Sequence, residues 1–293
     1  MKERLVRFDW AMKKLLRNKA NFEILEGFLS ELIKQDVKIE KILESERNKE
    51  SAFDKHNRVD LLTEIGMGEL VLIELQVEGQ YDYFHRMAYG SSKLITDNMD
   101  AGFSYELVRK VISINIVYFD LGHGEDYVYK GVTDFKGIHK NDLLQLSVIQ
   151  RGKFAHLDKV SQIFPEYYIL KVNEFDNLAK DTLDEWVYFL KNSEIKTEFS
   201  GKGLQKAAKE LDILKLSKED RADYDSYIED RRVGESSIKT SWIEGKLEGK
   251  LEGKLEGKIE IALEMIKEGE SNEMIRKYTG LTDDEIEKFR QQN

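Results

Sequence analysis

The segment Arg58 to Gln76, RVDLLTEIGMGELVLIELQ, constrains this chain more than any other. Val59, Leu61 and Ile65 fall among polar residues, Gly66-Met67-Gly68 supplies a turn, and Leu70 to Leu75 is a β-rich apolar run, so the segment reads as a β-hairpin. Such a hairpin sets Asp60 across from Glu74. Side chains alternate along a strand, which points Glu74 and Gln76 to one face and Leu75 to the other, into the core. Glu74 and Gln76 follow the apolar residues Leu70 to Ile73, with Leu75 between them, in a strand expected to be buried on both faces. Burying an unpaired carboxylate there costs on the order of several kcal/mol unless something compensates it. A metal ion is one candidate.

Two carboxylates and an amide on one side of an apolar sheet are the hard donors that Mg2+ prefers, and phosphodiester hydrolysis is a natural use for an ion held that way. Acidic residues at strand edges are also commonly solvated, and a strand Gln is commonly a surface residue, so the pattern by itself leaves both readings open.

Asp60, the hairpin and Glu74-Leu75-Gln76 resemble the PD-(D/E)xK nuclease superfamily, specifically its branch of recombination-promoting nucleases, also described as transposases, in which the usual Lys of the motif is commonly Gln. The likeness runs from Phe8-Asp9-Trp10-Ala11-Met12-Lys13-Lys14-Leu15-Leu16 through Tyr83-Phe84-His85-Arg86-Met87-Ala88-Tyr89 and Glu185-Trp186-Val187-Tyr188-Phe189-Leu190 to Tyr278-Thr279-Gly280-Leu281-Thr282. It implies an α/β fold, a restriction-endonuclease-like mixed sheet flanked by helices with an α-helical C-terminal tail. It further implies that Asp60, Glu74 and the Leu75 backbone carbonyl hold Mg2+, with Mn2+ as a substitute, that Gln76 orients the attacking water, and that DNA is the substrate. Gln lacks the charge of Lys, so Arg86 or Lys93 is expected to stand in, and Arg86 is suited to holding phosphate bidentately. Glu23 and Glu26 fall on the first helix, where the superfamily often supplies an additional acid; both are equally ordinary helix-surface residues. Val59 occupies the place of the usual Pro before the first Asp. The function so implied is a metal-dependent DNA endonuclease promoting recombination or transposition. The alternative is a catalytically weak nuclease fold that binds or regulates through its C-terminal tail.

A chain of 293 residues that is 41% hydrophobic has room for one large domain with an appendage. Absence of Cys excludes disulfides and any thiolate ligand or nucleophile, and His56, His85, His123, His139 and His156 show no zinc-like spacing. A formal charge of −10 argues against a general nucleic-acid coat and leaves room for a local cleft. The longest apolar run, near Val111 to Phe119, is interrupted by Ser113 and Asn115 and is far shorter than the ~20 residues of a spanning helix. Met1 to Arg7 leads into an amphipathic segment rather than a signal peptide, so a cytoplasmic protein without membrane association is expected.

Periodicity predicts a helix over Phe8 to Ile33, a strand over Val37 to Leu43, the hairpin, a helix over Tyr81 to Ile95, and a central strand over Val111 to Phe119. Tyr127 to Thr133, Leu143 to Gln150 and Tyr167 to Val172 are further strand candidates, with mostly helix from Asn177. This divides the chain into a nuclease-like domain (1–195), a helical extension (196–240), a Leu-Glu-Gly-Lys repeat (241–268) and a terminal helix pair (269–293). In the repeat each four-residue step turns the apolar stripe by about 40°, and each Gly costs ~1 kcal/mol relative to Ala, so as a lone helix it should fray. It is either an oligomerisation or spacer segment, with a flexible helical spacer favoured, or a solvated repeat expansion. Ser271 and Thr282 read as caps of two helices around Gly280, resembling a helix-turn-helix. The second of these is acidic, which points to packing or partner binding rather than base readout. Ile275, Leu281, Ile286 and Phe289 offer an apolar face for homo-oligomerisation.

Overall fold

The apolar run that follows the turn becomes the centre of a six-stranded sheet. A computed structural model describes residues 5–43, 58–66, 68–99, 104–154 and 157–292. Met67 of the turn, His56 and His156 lie outside the described residues. The elements in chain order are α1 (Phe8–Lys14), α2 (Phe22–Ile33), β1 (Ile39–Leu43), β2 (Arg58–Ile65), β3 (Glu69–Gln76), α3 (Tyr83–Asp97), β4 (Val111–Val117), β5 (Val128–Gly131), α4 (Val148–Lys153), β6 (Glu166–Lys171), α5 (Thr182–Asn192), α6 (Leu204–Glu210), α7 (Lys218–Lys267), α8 (Asn272–Thr279) and α9 (Asp283–Gln292). The fold is the expected mixed α/β class.

Strand order is β1-β2-β3-β4-β6-β5. β3, β4 and β6 run parallel, while β1/β2, β2/β3 and β5/β6 are antiparallel. The interior strands carry the β-branched and Leu-rich segments, as parallel strands covered on both faces require. β4 is buried at every position, and β3 from Leu70 onward. The chain returns from β3 to β4 through α3. That helix sets Tyr83 and Met87 against Val117 and Leu121, and Leu94 against Leu62, Leu70, Leu72 and Val111. α3 therefore runs antiparallel to β3, with its first turn over the end of β3 that carries Glu74 and Gln76. Elsewhere Phe8, Phe28, Trp186 and Phe189 tie α1, α2 and α5 together, ring to ring at 5.6–6.1 Å and mostly edge to face.

Two expected elements are corrected. The helix from Phe8 to Ile33 is broken, because Asn18 accepts from Ala20 N (3.0 Å) and Asn21 Nδ2 donates to the Leu15 carbonyl (3.0 Å), both satisfying backbone groups outside a helical ladder. Leu143 to Gln150 is not a strand. Ser147 and Gln150 form a reciprocal capping box that starts α4, leaving Leu143 only an isolated bridge to Lys136.

The molecule divides into two compact units, Met1–Tyr227 and Ile228–Asn293. The first holds the sheet and continues past residue 195: Val6 N donates to the Leu211 carbonyl (2.8 Å), Trp10 Nε1 donates to Asp223 (3.1 Å), and the Trp10 and Tyr224 rings pack edge to face at 5.2 Å. In the second, Ala262, Ile275, Leu281 and Ile286 form a core with Met265, Ile266 and Phe289. The apolar face of the terminal pair is thus consumed within that unit. Ser271 and Thr282 cap α8 and α9, and Gly280 turns between them with φ 70°, as their sequence signals predict. The repeat is helical throughout, inside the 50 residues of α7. A Gly weakens a helix without removing a hydrogen bond, and the packing of Ala262, Met265 and Ile266 holds the end that would otherwise fray. Ile243, Leu247, Leu251 and Leu255 remain exposed.

Candidate active site

The hairpin register places Asp60 directly opposite Glu74, and Arg58 opposite Gln76. On its other side β3 pairs Glu74 with Asn115 and Gln76 with Val117 of β4. Glu74 is 2% exposed and Gln76 4%, so both expected site residues are buried in an interior strand. For Asp60 the description stops at the backbone. Leu75, between the two, is buried and paired with Val59 and Ile116.

Arg86 reaches this point from the first turns of α3. Its Nη1 donates to Gln80 Oε1 (2.8 Å) and, at 3.4 Å, to Gln76 Oε1, while its Nε stands 4.0 Å from Glu74 Oε2. Its Nη2 is buried and has no hydrogen-bond acceptor among the described residues. Gln76 Nε2 in turn donates to the Glu78 carbonyl (3.1 Å). The amide of Gln76 is thereby fixed at both ends, yet keeps one N–H and one oxygen lone pair for a further partner. The carboxylate of Glu74 thus has a guanidinium beside it, where the motif's own third residue is an uncharged amide. Beneath it, Tyr83 OH donates to Asn115 Oδ1 at 3.3 Å, and the Arg86 guanidinium lies 5.9 Å from the Tyr83 ring centroid.

Of the other expected site residues, Lys93 lies seven residues beyond Arg86, about 10 Å along α3, next to Leu94, which packs at the other end of β3. Glu26 is buried for a different reason. It accepts from Ile39 N (3.0 Å) and Lys38 Nζ (3.1 Å), joining α2 to the start of β1. Ile39 pairs with Ile65, roughly 16 Å along β2 from Asp60 at about 3.3 Å per residue, so Glu26 belongs to the far end of the sheet. Glu23 is exposed on α2. Sequence reasoning missed Gln80, Tyr83 and Asn115. The visible signal for Asn115 was a polar interruption in an otherwise apolar central strand.

A hard divalent ion takes oxygen donors. Among the described residues no group of three His, Cys, Asp or Glu side chains could hold one. The two expected carboxylate donors, Glu74 and Asp60, are opposite each other in the strand register. They fit in kind: a deeply buried carboxylate whose guanidinium neighbour stands off at 4.0 Å suits a compact cation.

A mixed sheet whose central hairpin carries Asp opposite Glu-x-Gln has the core arrangement of a PD-(D/E)xK nuclease. Residues 6–241 match the family described as PD-(D/E)XK nuclease family transposase, and the chain belongs to that family. Comparisons with curated proteins and with solved structures gave no match. Membership supports a nuclease- or transposase-like function, for which DNA is the implied substrate and a divalent metal the typical cofactor. Among the described residues no helix is long and apolar enough to cross a membrane.

Proposed function

We propose that the protein is a Mg2+-dependent DNA endonuclease that hydrolyses phosphodiester bonds in recombination or transposition, acting in the cytoplasm. The observation that carries this reading is the buried Glu74–Gln76 pair under Arg86, with Asp60 across the hairpin. Asp60, Glu74 and the Leu75 carbonyl would hold the ion, with Mn2+ as a substitute. When bound, the ion supplies a water of lowered pKa and offsets charge developing on the phosphate. The chain does the rest. Gln76, its amide fixed by Arg86 and Glu78, has an acceptor site and an N–H left to orient that water. Arg86, a part-exposed guanidinium at the start of α3, would offer donors to a phosphate oxygen, and Glu74 beside it keeps the guanidinium from being the only charge at the site. Burial of Glu74 and Gln76 limits the access of bulk water to that place. For self-association through the C-terminal helices, the exposed apolar residues include Ile243, Leu247, Leu251 and Leu255 of the repeat and Tyr278 of α8, while Ile275, Leu281 and Ile286 of the terminal pair pack inward.

A plasmid-nicking assay with Mg2+, Mn2+ or EDTA tests the reading. Cleavage is expected with either metal and none with EDTA, and Asp60→Ala and Glu74→Ala should each abolish it while the circular dichroism spectrum stays that of the wild type. Wild-type nicking by either variant would remove the site assignment. Folded protein that never nicks would instead favour the weak nuclease-fold module acting through its tail.

A further inference from the structure

Every position of β4 is buried, yet two side chains in its middle are polar, Ser113 and Asn115. A buried amide without partners costs a few kcal/mol, roughly, and an aliphatic residue would fill the same place with no such demand. Asn115 meets the demand in full. Its Nδ2 donates to Ser113 Oγ (3.0 Å) and to the Tyr168 carbonyl (3.2 Å), with the Ser113 carbonyl at 3.3 Å sharing one of the two hydrogens, and its Oδ1 accepts from Tyr83 OH (3.3 Å). Asn115 is also the register partner of Glu74. Tyr83 begins α3, and Arg86 follows one helical turn later on the same face.

A polar chain therefore runs from the floor of the sheet through Asn115 and Tyr83 to the helix turn that carries Arg86. The position of Arg86 matters because its guanidinium competes with any cation for Glu74. At 4.0 Å from the carboxylate and shared between Gln76 and Gln80, it balances charge without closing on Glu74. A shift of about 1 Å would turn this stand-off into a close ion pair, or would break the hold on Gln76. We infer that Asn115 and Tyr83 are positioning residues, whose hydrogen bond fixes the first turn of α3 on the sheet and so keeps Arg86 off Glu74 while it orients Gln76. This rests on the proposed function for the roles of Glu74 and Gln76, but not for the placement of Arg86.

The test is a double-variant cycle on the full chain, read by Mn2+ binding in calorimetry and by the 15N NMR signal of the Arg86 Nε–H. Tyr83→Phe removes one hydroxyl and keeps the ring. It is expected to weaken Mn2+ binding by about 3- to 10-fold, the size a single hydrogen bond carries, and to move or broaden the Arg86 signal. Arg86→Gln should tighten Mn2+ binding. In that background Tyr83→Phe should change it by less than about 2-fold, because its effect passes through Arg86. An equal loss in both backgrounds, or an unmoved Arg86 signal in Tyr83→Phe, would overturn the inference. Wild-type protein that does not bind Mn2+, or binds it unchanged after Glu74→Gln, would instead count against the metal site of the proposed function, and the NMR signal would still decide the positioning role.

Discussion

Gln76 spends half of its hydrogen-bonding capacity on Arg86 and Glu78, so its contribution to chemistry depends on the remaining half. Gln76→Ala is expected to lower kcat by about 10- to 100-fold with less than a few-fold change in DNA affinity, as for a group acting on the water rather than the substrate. Gln76→Lys restores the charge usual in the superfamily but sets it against Arg86 in a buried position. A lowered melting temperature, rather than a faster enzyme, is the expected outcome, measured by scanning calorimetry with and without Mn2+. At the opposite end of the sheet Glu166 is held by Lys130 (2.7 Å), Lys110 (3.0 Å) and Tyr168 OH (2.6 Å). Burial alone would raise its pKa, but the hydrogen bonds from Lys130, Tyr168 and Lys110 outweigh burial and bring it from 4.5 down to about 2. A depressed carboxylate stabilises the fold above its unfolded pKa, and that stability is lost as pH falls through the folded one. Unfolding free energy should therefore drop between about pH 4.5 and 2, and Glu166→Gln should flatten that part of the profile in denaturant titrations. An unchanged slope would count against this ion cluster.

Among the elements, glycine plays two opposite parts. Gly27 in α2 faces the backbone of Lys202 and Gly203, and a Cβ there would strike the Lys202 carbonyl. Gly203 itself holds φ 84° at the start of α6. Those two glycines let α2 and α6 meet backbone to backbone. In the repeat, a Cβ at Gly245, Gly249, Gly253 or Gly257 would meet nothing. The same substitution should then have opposite signs. Gly27→Ala is expected to cost about 1–3 kcal/mol or more in chemical denaturation, through overpacking. Ala at the four repeat positions should raise helical ellipticity and delay its thermal loss, by up to about 1 kcal/mol of helix propensity per site. A neutral Gly27→Ala would show that α2 and α6 can move apart at little cost.

On the scale of the whole molecule, the sheet-bearing unit runs to Tyr227, and the first turns of α7 belong to it through Trp10, Asp223 and Tyr224. The family match likewise continues to residue 241. A chain ending at residue 240 is expected to keep the wild-type melting transition of this unit and its divalent-dependent nicking. A chain ending at residue 195 would lose the partners of Val6, Trp10 and Gly27 and should fail to fold. Circular dichroism and nicking on both truncations check this. Loss of nicking by a folded 1–240 chain would show that the tail completes the active site.

The sequence by itself determined the hairpin, its register and the burial of β3, because strand alternation and a glycine turn are local properties, and a one-residue slip would have turned Glu74 to the opposite face. It also determined the caps of α8 and α9 and the mixed α/β class. It left Glu26 as either an additional site acid or an ordinary helix-surface residue, since only the packing of α2 on β1 buries it and commits it to Ile39 N at the far end of the sheet. Nor could it choose between Arg86 and Lys93, which differ by two helical turns that matter only once the direction of α3 across β3 is known. The role of Asn115 was visible as an oddity and unreadable as a function, because the hydroxyl that satisfies it lies 32 residues away in the chain. Local chemistry wrote the strand that carries the site; long-range packing decided which charges stand beside it.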